Sequence, residues 1–538
     1  MTDRTLADLL AAAEPSEPAT LASLIERLIA EGRLQGARRD GRAIGPAGLA
    51  DVEIQGVTSD SRAVTPGSLF VAIPGLHTDG HDHLASAADR GAAAALVERA
   101  VTESPLPQLL VSATRPALAS AAAWWYGDPS PELLTIGITG TDGKTTTAYL
   151  AVAALEAAGV RTGMLGTAGL RIGGSGEPNP EHVTTPDAPA LQRALRAMVA
   201  AGDAAAVIET TSHGLALERV GSVAYDAAIL TNLTHEHLEF HGTWEAYRDA
   251  KLSLFERLAV TAANPLKHWP KTGIVNADDP SAARFIGVTQ EAGAAVLSYG
   301  TDASADVRAS RVEEDGRGLR IAYDAPSGSA TLRVHLAGRF NVHNALAVVA
   351  LGEALGLDPA AVRDGLASVQ VIPGRMERVE LGQPFEVIVD YAHSPASLQT
   401  VLDLLAPAAA ARGGGVIVVF GSAGERDTAK RPIMGRIAAE RCRLVVVTDE
   451  DPRDEDRFAI LAAIAAGAEA AGARREHSLL VIADRRQAIA AALARARPGD
   501  TVLLAGKGHE RSIIGRSGPV AWDERAEAEA ALRALGYG

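Results

Sequence analysis

Cysteine is almost absent from this chain. Cys442 is the only one among its 538 residues, which excludes an internal disulfide bond and any cysteine-rich zinc ribbon. A protein without disulfides suits the reducing environment of the cytosol. We expect Cys442 to be a small, buried hydrophobic residue that precedes a strand at 444–447.

Long hydrophobic runs are also missing. No segment approaches the roughly 18 consecutive apolar residues that a membrane-spanning helix needs, and the first residues lack the apolar core of a secretory signal peptide. Apolar runs such as 204–208 and 416–420 have the length of strands. The sequence therefore predicts a soluble, cytoplasmic protein with no membrane partner.

Positive charge and aromatic side chains are scarce as well. The 51 lysines and arginines are outnumbered by 66 aspartates and glutamates, which gives a formal net charge of −15. Such a surface repels polyanions, so we expect no nucleic-acid partner. Aromatic residues make up 4% of the chain, and the cores must therefore be built mainly from small and branched aliphatic side chains.

A chain of this length should divide into roughly three or four domains. Predicted strands alternate with helices in three stretches, separated by proline-containing segments near Pro129 and Pro373. The expected domains are 1–132 (with a helical extension and loop at 1–50), 133–372 and 373–538. The predicted fold class is α/β: a small first domain, a central doubly wound domain with a parallel sheet, and a Rossmann-like third domain. Residues 305–337 are predicted to form antiparallel strands within the central domain.

The most informative segment is Ile136-Gly-Ile-Thr-Gly-Thr-Asp-Gly-Lys-Thr-Thr-Thr147. An apolar strand runs into a glycine-containing turn, and Lys144 and three threonines then open an alanine-rich helix. Backbone N–H groups at a helix N-terminus, a lysine and a threonine hydroxyl form a cradle for phosphate and Mg²⁺. The strict P-loop spacing places a glycine where this chain has Ile138, so the loop is a variant. An ordinary loop would rarely carry Gly-Lys-Thr-Thr in this frame, and we predict a nucleotide site.

Two more polar clusters follow predicted strands of the central domain. Glu209 ends the apolar strand 206–208, and ligands of open α/β sheets bind at the carboxyl ends of strands. It is therefore a candidate Mg²⁺ ligand, or alternatively the cap of the next helix. Residues 231–242 hold three histidines and two glutamates; their spacing favours nucleotide-bound Mg²⁺ over zinc, unless some of the histidines only pack there. Lys251, taken alone, is most simply an exposed lysine on a helix.

Four polar clusters follow predicted strands in the third domain. They lie at 390–395, 421–432, 448–453 and 505–510. One such cluster is easily explained as a capped turn, but four at strand ends indicate that one edge of this domain binds a ligand. No serine–histidine–acid set or reactive cysteine stands out. The chemistry must then rest on positioning substrates and neutralising phosphate charge.

Together these motifs resemble those of the Mur ligase family. The matching segments occur in the family's order over about residues 50–525: Thr139-Gly-Thr-Asp-Gly-Lys-Thr-Thr146, Glu209 with Ser212 and His213, Thr231-Asn-Leu-Thr-x-Glu-His-Leu238, Asn341-x-x-Asn344 and Asp390-Tyr-Ala-His393. Three further motifs are similar to those of the family's tripeptide synthetases, the MurE type: Ser59-Asp-Ser-Arg62 continuing to Phe70, Thr184-Thr-Pro186, and Gly506-Lys-Gly-His-Glu510.

The resemblance implies an ATP-dependent ligase of peptidoglycan precursor synthesis. It would add a diamino acid to UDP-N-acetylmuramoyl-L-alanyl-D-glutamate through an acyl phosphate, with ATP and Mg²⁺ as cofactors. We expect a monomer whose partners are the UDP-N-acetylmuramoyl-dipeptide and the diamino acid.

The resemblance also implies roles for individual residues. The catalytic set is Lys144, Glu209, His237 and Lys251. Thr145 and Glu209 would hold one Mg²⁺ and His237 a second. Lys251 would be a metal ligand as a carbamate, because only a CO₂ adduct turns this ammonium into an anionic oxygen ligand. The ATP-binding set is Gly140, Thr141, Asp142, Gly143, Lys144, Thr145, Thr146, Asn344, Arg375, Asp390 and His393. The UDP-muramoyl-peptide set is Ser61, Thr184, Thr185, Thr211 and Arg219. The amino-acid set is Arg426, Asp451, Arg453, Gly506 and Glu510.

Some positions depart from the family pattern. Asp142 replaces the usual asparagine and Glu236 the usual aspartate, and both keep a polar group. The segment Asp449-Glu-Asp-Pro-Arg453 stands where enzymes for meso-diaminopimelate have Asp-Asn-Pro-Arg, so that Glu450 and Asp451 replace Asp and Asn. The retained Arg453 favours a substrate with a second carboxylate, meso-diaminopimelate. The extra anion at Asp451 favours a bare ammonium, as in lysine or ornithine.

Two other functions stay open. One is another ligase of the superfamily, such as folylpolyglutamate synthetase, which the motifs Ser59–Arg62 and Gly506–Glu510 disfavour. The other is a non-catalytic nucleotide-binding scaffold derived from the ligases, which the joint presence of the four catalytic candidates disfavours.

Overall fold

The computed structural model describes residues 4–75, 78–177, 183–234, 238–259, 267–315 and 318–538. Within these ranges the chain forms three α/β units, each built on its own sheet with helices on both faces. The predicted fold class is confirmed. In the part of the chain that is described, every helix is too short or too polar to cross a membrane.

The first unit has a six-stranded mixed sheet. In spatial order its strands are Arg42–Ile44, Leu34–Arg39, Gln108–Val111, Ala94–Val97, Ser68–Val71 and Gly56–Thr58, and the last four are parallel. Side chains of alternate strand residues point to opposite faces. Leu69 therefore packs with the helices Leu21–Ala30 and Thr114–Trp125, whereas Phe70 packs with the helix Leu84–Asp89.

The central unit has an eleven-stranded sheet. In spatial order its strands are Ser175–Glu177, Leu170–Ile172, Thr162–Leu165, Ala205–Glu209, Leu134–Thr139, Ala227–Leu230, Thr272–Asn276, Ala295–Gly300, Val307–Asp315, Gly318–Ala325 and Gly328–Val334. The seven strands from Thr162–Leu165 to Val307–Asp315 are parallel. The last three strands pair antiparallel with one another, which confirms the prediction for 305–337.

Helices cover both faces of the central sheet. One face carries Lys144–Ala157, Asn341–Leu355 and Pro359–Ser368, and the other carries Ala188–Ala201, Trp244–Glu256 and Ala282–Glu291. The strand Leu134–Thr139 lies between Ala205–Glu209 and Ala227–Leu230, both of which follow it in the chain. The chain first passes to one side of this strand and later crosses to its other side, between Ala205–Glu209 and Ala227–Leu230. The carboxyl end of a strand at such a reversal is where open α/β sheets bind ligands.

The N-terminal helix Leu6–Ala11 does not pack in the first unit. Leu6 and Ala13 lie in the core of the central unit, together with residues of the helix Ala188–Ala201. Glu14 accepts hydrogen bonds from the Tyr126 hydroxyl and from Arg193. The predicted domain boundaries do not distinguish this helix from the first unit, and they stay a prediction.

The third unit has a six-stranded sheet. In spatial order its strands are Glu377–Arg378, Glu386–Asp390, Thr501–Ala505, Val416–Phe420, Leu444–Val447 and Leu479–Val481, and all but the first are parallel. One face carries the helices Pro395–Ala411, Lys430–Arg441 and Arg457–Ala470, and the other carries Arg485–Leu493 and Glu524–Ala534. Cys442 is partly buried before Leu444–Val447, and burial raises the pKa of its thiol, which keeps it unreactive.

Candidate active site

The phosphate loop joins the strand Leu134–Thr139 to the helix Lys144–Ala157. Gly140 and Gly143 have φ angles of +147° and +84°, and a Cβ on them would lie 1.9 Å from Thr231 Oγ1 and 2.4 Å from Asn344 Oδ1. Only glycine fits both positions. The loop therefore approaches its neighbours closely and presents backbone N–H groups at a helix N-terminus, which is a cradle suited to phosphate.

Charged and polar groups of the loop are held by hydrogen bonds. Lys144 Nζ donates to the carbonyl oxygens of Gly140 (2.9 Å) and Thr141 (2.7 Å). The N–H of Asp142 donates to Asn232 Oδ1 at 3.1 Å, and Asn232 Nδ2 donates back to the Asp142 carbonyl at 3.0 Å. Thr146 is buried in the first turn of the helix. The lysine therefore lies on the cradle itself, where its charge can neutralise a bound anion.

Glu209 lies fully buried beside this loop. Its Oε2 accepts a hydrogen bond from Thr145 Oγ1 and one from Thr167 Oγ1, and its Oε1 accepts one from the Thr167 N–H, each at 2.9 Å. These partners are hydroxyl and N–H groups, so the buried carboxylate gains no countercharge from them. Burying an anion in this way is costly unless a cation joins it, and a site that combines a carboxylate with hydroxyl oxygens suits Mg²⁺.

The alternative role of Glu209 as a helix cap is wrong. The next helix, Ser212–Ala216, is capped by Thr211, whose side chain accepts a hydrogen bond from the Gly214 N–H.

Lys251 is not an exposed helical lysine. It lies on the helix Trp244–Glu256 with 2% of its surface exposed, and its Nζ donates to the Gly140 carbonyl at 2.7 Å. The same Nζ lies 4.7 Å from the centre of the Tyr247 ring, and the Tyr247 hydroxyl lies 2.8 Å from Thr141 Oγ1. Lys251 and Lys144 therefore share one carbonyl acceptor, although they are far apart in sequence.

His237 and Glu236 lie outside the described residues. Among those that are described, no three histidine, cysteine, aspartate or glutamate side chains form a metal-binding cluster. The remaining candidates for Mg²⁺ are Thr145, Glu209 and Lys251, which all border the phosphate loop.

Four of the five residues expected at the muramoyl-peptide lie next to Glu209. Thr185 Oγ1 donates to the Glu209 carbonyl at 2.8 Å and accepts the Thr211 N–H at 3.0 Å. Arg219 donates to the Thr185 carbonyl at 2.8 Å, and the Thr184 hydroxyl lies 2.9 Å from that of Thr167. The fifth residue, Ser61, lies in the first unit, in the turn after Gly56–Thr58.

The remaining ATP candidates lie in the central and third units, and one of them, Arg375, connects the two. Asn344 Oδ1 accepts a hydrogen bond from Thr147 at 3.3 Å. Arg375 donates to Thr145 Oγ1 at 3.1 Å and lies 4.8 Å from the Tyr391 ring centre. His393 Nδ1 donates to the Tyr391 carbonyl at 2.9 Å.

The Asp390 side chain fixes the backbone at Met376 and Ala392. Its carboxylate accepts the N–H groups of Met376 and Ala392, each at 2.8 Å. Burial raises the pKa of Asp390, although the nearby Arg375 opposes this shift.

The amino-acid candidates all lie in loops that follow strands of the third unit. Arg426 follows Val416–Phe420 and is exposed. The N–H of Arg453 donates to the Ile514 carbonyl at 2.9 Å, and the N–H of Gly506 donates to the Asp390 carbonyl at 3.1 Å. The four polar clusters therefore lie at one edge of this sheet, and the binding of a ligand there stays a prediction.

Lys507 changes the interpretation of Asp451. Its Nζ is fully buried and donates to Asp451 at 2.8 Å, and it also pairs with Glu510. Burial alone would lower the pKa of Lys507, but Glu510 and Asp451 outweigh burial and raise it. Asp451 is thus paired within the protein, although it shares the single charge of Lys507 with Glu510; its preference for a substrate ammonium stays a prediction.

Glu450 is a site residue that the sequence marked only as a departure from the family pattern. It is 7% exposed, and its Oε2 has no hydrogen-bond partner among the described residues. That oxygen lies 3.3 Å from where a Cβ of Gly506 would be. The unsatisfied carboxylate of this segment is therefore Glu450 and not Asp451.

Comparisons with known proteins now decide the family. Residues 53–124, 138–352 and 374–508 match models described as the Mur ligase family catalytic domain, the Mur ligase middle domain and the Mur ligase glutamate ligase domain. A UDP-N-acetylmuramyl-tripeptide synthetase from Roseiflexus sp. (strain RS-1) is 50% identical over 479 residues, which cover 88% of this chain and 93% of that protein. The chain belongs to the Mur ligase family.

Other members are similar to this Mur ligase over most of its length. A UDP-N-acetylmuramoyl-L-alanyl-D-glutamate–2,6-diaminopimelate ligase from Geobacter metallireducens is 40% identical over 485 residues, which cover 87% of this chain and 92% of that protein. A solved structure of a ligase of the same name is 29% identical, with a TM-score of 0.61 and coverage of 91% of this chain and 97% of that one. The family resemblance drawn from the motifs is confirmed.

Arg485 of this Mur ligase was not singled out from the sequence. It is fully buried, pairs with Glu524 at 2.6 Å, and donates to the carbonyl oxygens of Asp449 (3.0 Å) and Ala505 (2.8 Å). It therefore joins the ends of two strands that carry amino-acid candidates. Its sequence context, Asp484-Arg-Arg-Gln487 at a helix start, carries no signal that separates it from a surface arginine.

Proposed function

We propose that this Mur ligase is an ATP-dependent ligase that joins a diamino acid to UDP-N-acetylmuramoyl-L-alanyl-D-glutamate in peptidoglycan precursor synthesis. The observation that carries the proposal is the position of Glu209. Its side chain accepts a hydrogen bond from Thr145, at the start of the helix that follows the phosphate loop. Its carbonyl accepts one from Thr185 of the expected peptide site. One strand end would therefore border both the nucleotide and the acid that the nucleotide would activate.

The chemistry follows from these neighbours. The side-chain carboxylate of D-glutamate takes the γ-phosphoryl group of ATP, which yields an acyl phosphate and ADP; the incoming amine then displaces phosphate and loses a proton, which yields the amide. Lys144 and the loop N–H groups offset the negative charge that gathers between two anions. Mg²⁺, held by Thr145, Glu209, His237 and Lys251, would supply further neutralisation of the phosphates.

A carbamate on Lys251 would remove an electrostatic conflict. Two ammonium groups that donate to the single carbonyl of Gly140 repel each other, and the Lys251 side chain is buried. Conversion of Lys251 to a carbamate replaces one of these cations with an anion suited to Mg²⁺.

We assign the substrates to the three units. Residues 1–132 would bind the UDP group, with Ser61 as a contact; residues 133–372 would bind ATP and the peptide acid; and residues 373–538 would bind the diamino acid. The proposed contacts of that amino acid are Arg426, Asp451, Arg453, Gly506 and Glu510. We expect a monomeric, cytoplasmic enzyme, and light scattering of the purified protein tests the monomer.

The diamino acid stays a choice between two classes. Arg453 favours the second carboxylate of meso-diaminopimelate. Glu450 has an unsatisfied carboxylate oxygen beside Gly506, which favours an ammonium at the end of the side chain, as in lysine or ornithine. The side chain of meso-diaminopimelate also ends in an ammonium, next to its second carboxylate.

Mass spectrometry of the nucleotide product tests the function. The enzyme is given ATP, Mg²⁺, the UDP-dipeptide and an equal mixture of diaminopimelate, lysine and ornithine, and we expect one mass gain. Lys144→Ala should abolish the product, since it removes the cation of the phosphate loop. ATP binding without phosphate release would indicate a scaffold, and glutamate addition to a folate would indicate the folylpolyglutamate alternative.

A further inference from the structure

The loop Gly506–Glu510 of the third unit reaches into the central unit through one side chain. His509 Nε2 lies 2.9 Å from the carbonyl oxygen of Thr167. Because a carbonyl oxygen only accepts hydrogen bonds, Nε2 carries the hydrogen and donates it. The bond joins residues that are 342 positions apart in the chain.

Thr167 is also the residue that holds both oxygens of Glu209. Its N–H donates to Oε1 and its hydroxyl donates to Oε2, each at 2.9 Å. The preceding residue, Gly166, packs so closely that a Cβ there would lie 2.1 Å from Glu209 Oε1. A displacement of the Thr167 backbone would therefore move the groups that position the Glu209 carboxylate.

The histidine is itself fixed on the side of the third unit. Its ring centre lies 5.1 Å from that of Tyr391. The Tyr391 ring also packs against Arg375, which donates to Thr145 Oγ1 at 3.1 Å. Two connections thus run from the third unit to Glu209, one through Thr145 and one through Thr167.

We propose that His509 is a positioning residue for Glu209. By holding the Thr167 carbonyl, it orients the Thr167 N–H and hydroxyl that fix the carboxylate, so that docking of the amino-acid unit completes the magnesium–nucleotide site. The inference rests on the proposed function, because Glu209 is taken there as a ligand of Mg²⁺. In this role His509 acts through Thr167 and not on a reacting group.

Three variants test this role. His509→Leu removes the donor, whereas His509→Gln keeps an N–H donor at about the distance of Nε2. His477→Leu, at an exposed histidine of the same unit, is the matched control. The first measurement is calorimetric binding of a non-hydrolysable ATP analogue with Mg²⁺ to the full-length protein. The second is hydrogen–deuterium exchange of peptides that contain residues 166–169.

We expect His509→Leu to weaken analogue binding by about three- to tenfold, the effect of losing one hydrogen bond. The same variant should accelerate exchange at 166–169, and the glutamine variant should restore most of both properties. The control should match the wild type. In steady state, the leucine variant should raise the KM for MgATP by a similar factor.

A purely local role gives a different pattern. If His509 only supports the amino-acid loop, the leucine variant raises the KM for the diamino acid and leaves analogue binding and exchange at 166–169 unchanged, which overturns the proposal. If the leucine variant does not fold, His509→Asn replaces it, because its shorter amide cannot reach the Thr167 carbonyl. A wild type that forms no tripeptide product refutes the proposed function instead.

Discussion

The buried ion pair Arg485–Glu524 allows a stability prediction with a control built into the chain. Both side chains are 0% exposed. The next residue, Arg486, pairs with Glu527, which lies in the same helix as Glu524. This pair is also 2.6 Å apart, but its side chains are 71% and 16% exposed. Two adjacent arginines thus make the same kind of bond to one helix and differ mainly in burial.

The expected magnitudes follow from that difference. Arg485→Met leaves the Glu524 carboxylate buried with Trp522 Nε1 as its donor at 2.7 Å, and it removes the arginine donors of the Asp449 and Ala505 carbonyls. Removing one partner of a buried pair costs about 3–5 kcal/mol. Arg486→Met removes an exposed pair, which contributes about 1 kcal/mol or less. We therefore expect the two variants to differ by at least about 2 kcal/mol.

Urea unfolding measures this difference. Trp522 is the only tryptophan in residues 373–538, so the fluorescence change it contributes reports on the third unit, and circular dichroism follows the whole chain. The double variant Arg485→Met with Glu524→Met should recover stability relative to Arg485→Met, because no unpaired charge stays buried. The reasoning is refuted if Arg485→Met lowers the unfolding free energy of the third unit no more than Arg486→Met does.

Two further predictions concern the central unit. Lys251→Ala should be nearly inactive and partly rescued by short carboxylates such as acetate, as measured by phosphate release; unchanged turnover would remove the carbamate assignment. Burial alone would raise the pKa of Asp278, but hydrogen bonds from His343 and Thr301 outweigh it and lower the pKa to about 2. The ionised carboxylate therefore stabilises the fold above its usual pKa near 4, and this contribution is lost as the pH falls towards 2. Asp278→Asn should lower the unfolding free energy at pH 7 by about 1–2 kcal/mol, with a deficit that shrinks below pH 4; a deficit that does not change with pH would contradict this.

Elements with a clear hydrophobic period were predictable from the sequence. The strand expected at 444–447 is observed as Leu444–Val447, and that expected at 206–208 is observed as Ala205–Glu209. The clustering of Glu209 and Thr145 followed from a general rule, because parallel strands place their carboxyl ends at one edge. Lys251 came from the family resemblance alone, because by itself it had the pattern of an exposed helical lysine.

The contacts that could not be predicted join residues that are distant in sequence. They are buried ion pairs and one hydrogen bond between two units. Composition places lysine and arginine at the surface, yet Lys507 and Arg485 are fully buried and satisfied by carboxylates of other segments. The pairing of Asp451 with Lys507 could not be predicted, because it requires the loop after Thr501–Ala505 to lie beside the loop after Leu444–Val447. The bond from His509 to Thr167 depends in the same way on how two units meet.

The packing of Leu6–Ala11 on the central unit gives the first unit two attachments instead of one. On the N-terminal side of its sheet this helix packs on the central unit, and Glu14 accepts hydrogen bonds from Tyr126 and Arg193. On the C-terminal side the chain continues directly into Leu134–Thr139. The first unit is therefore held on the central unit at both ends of its own chain segment. A single proteolytic cut near residue 130 would therefore leave the two fragments associated.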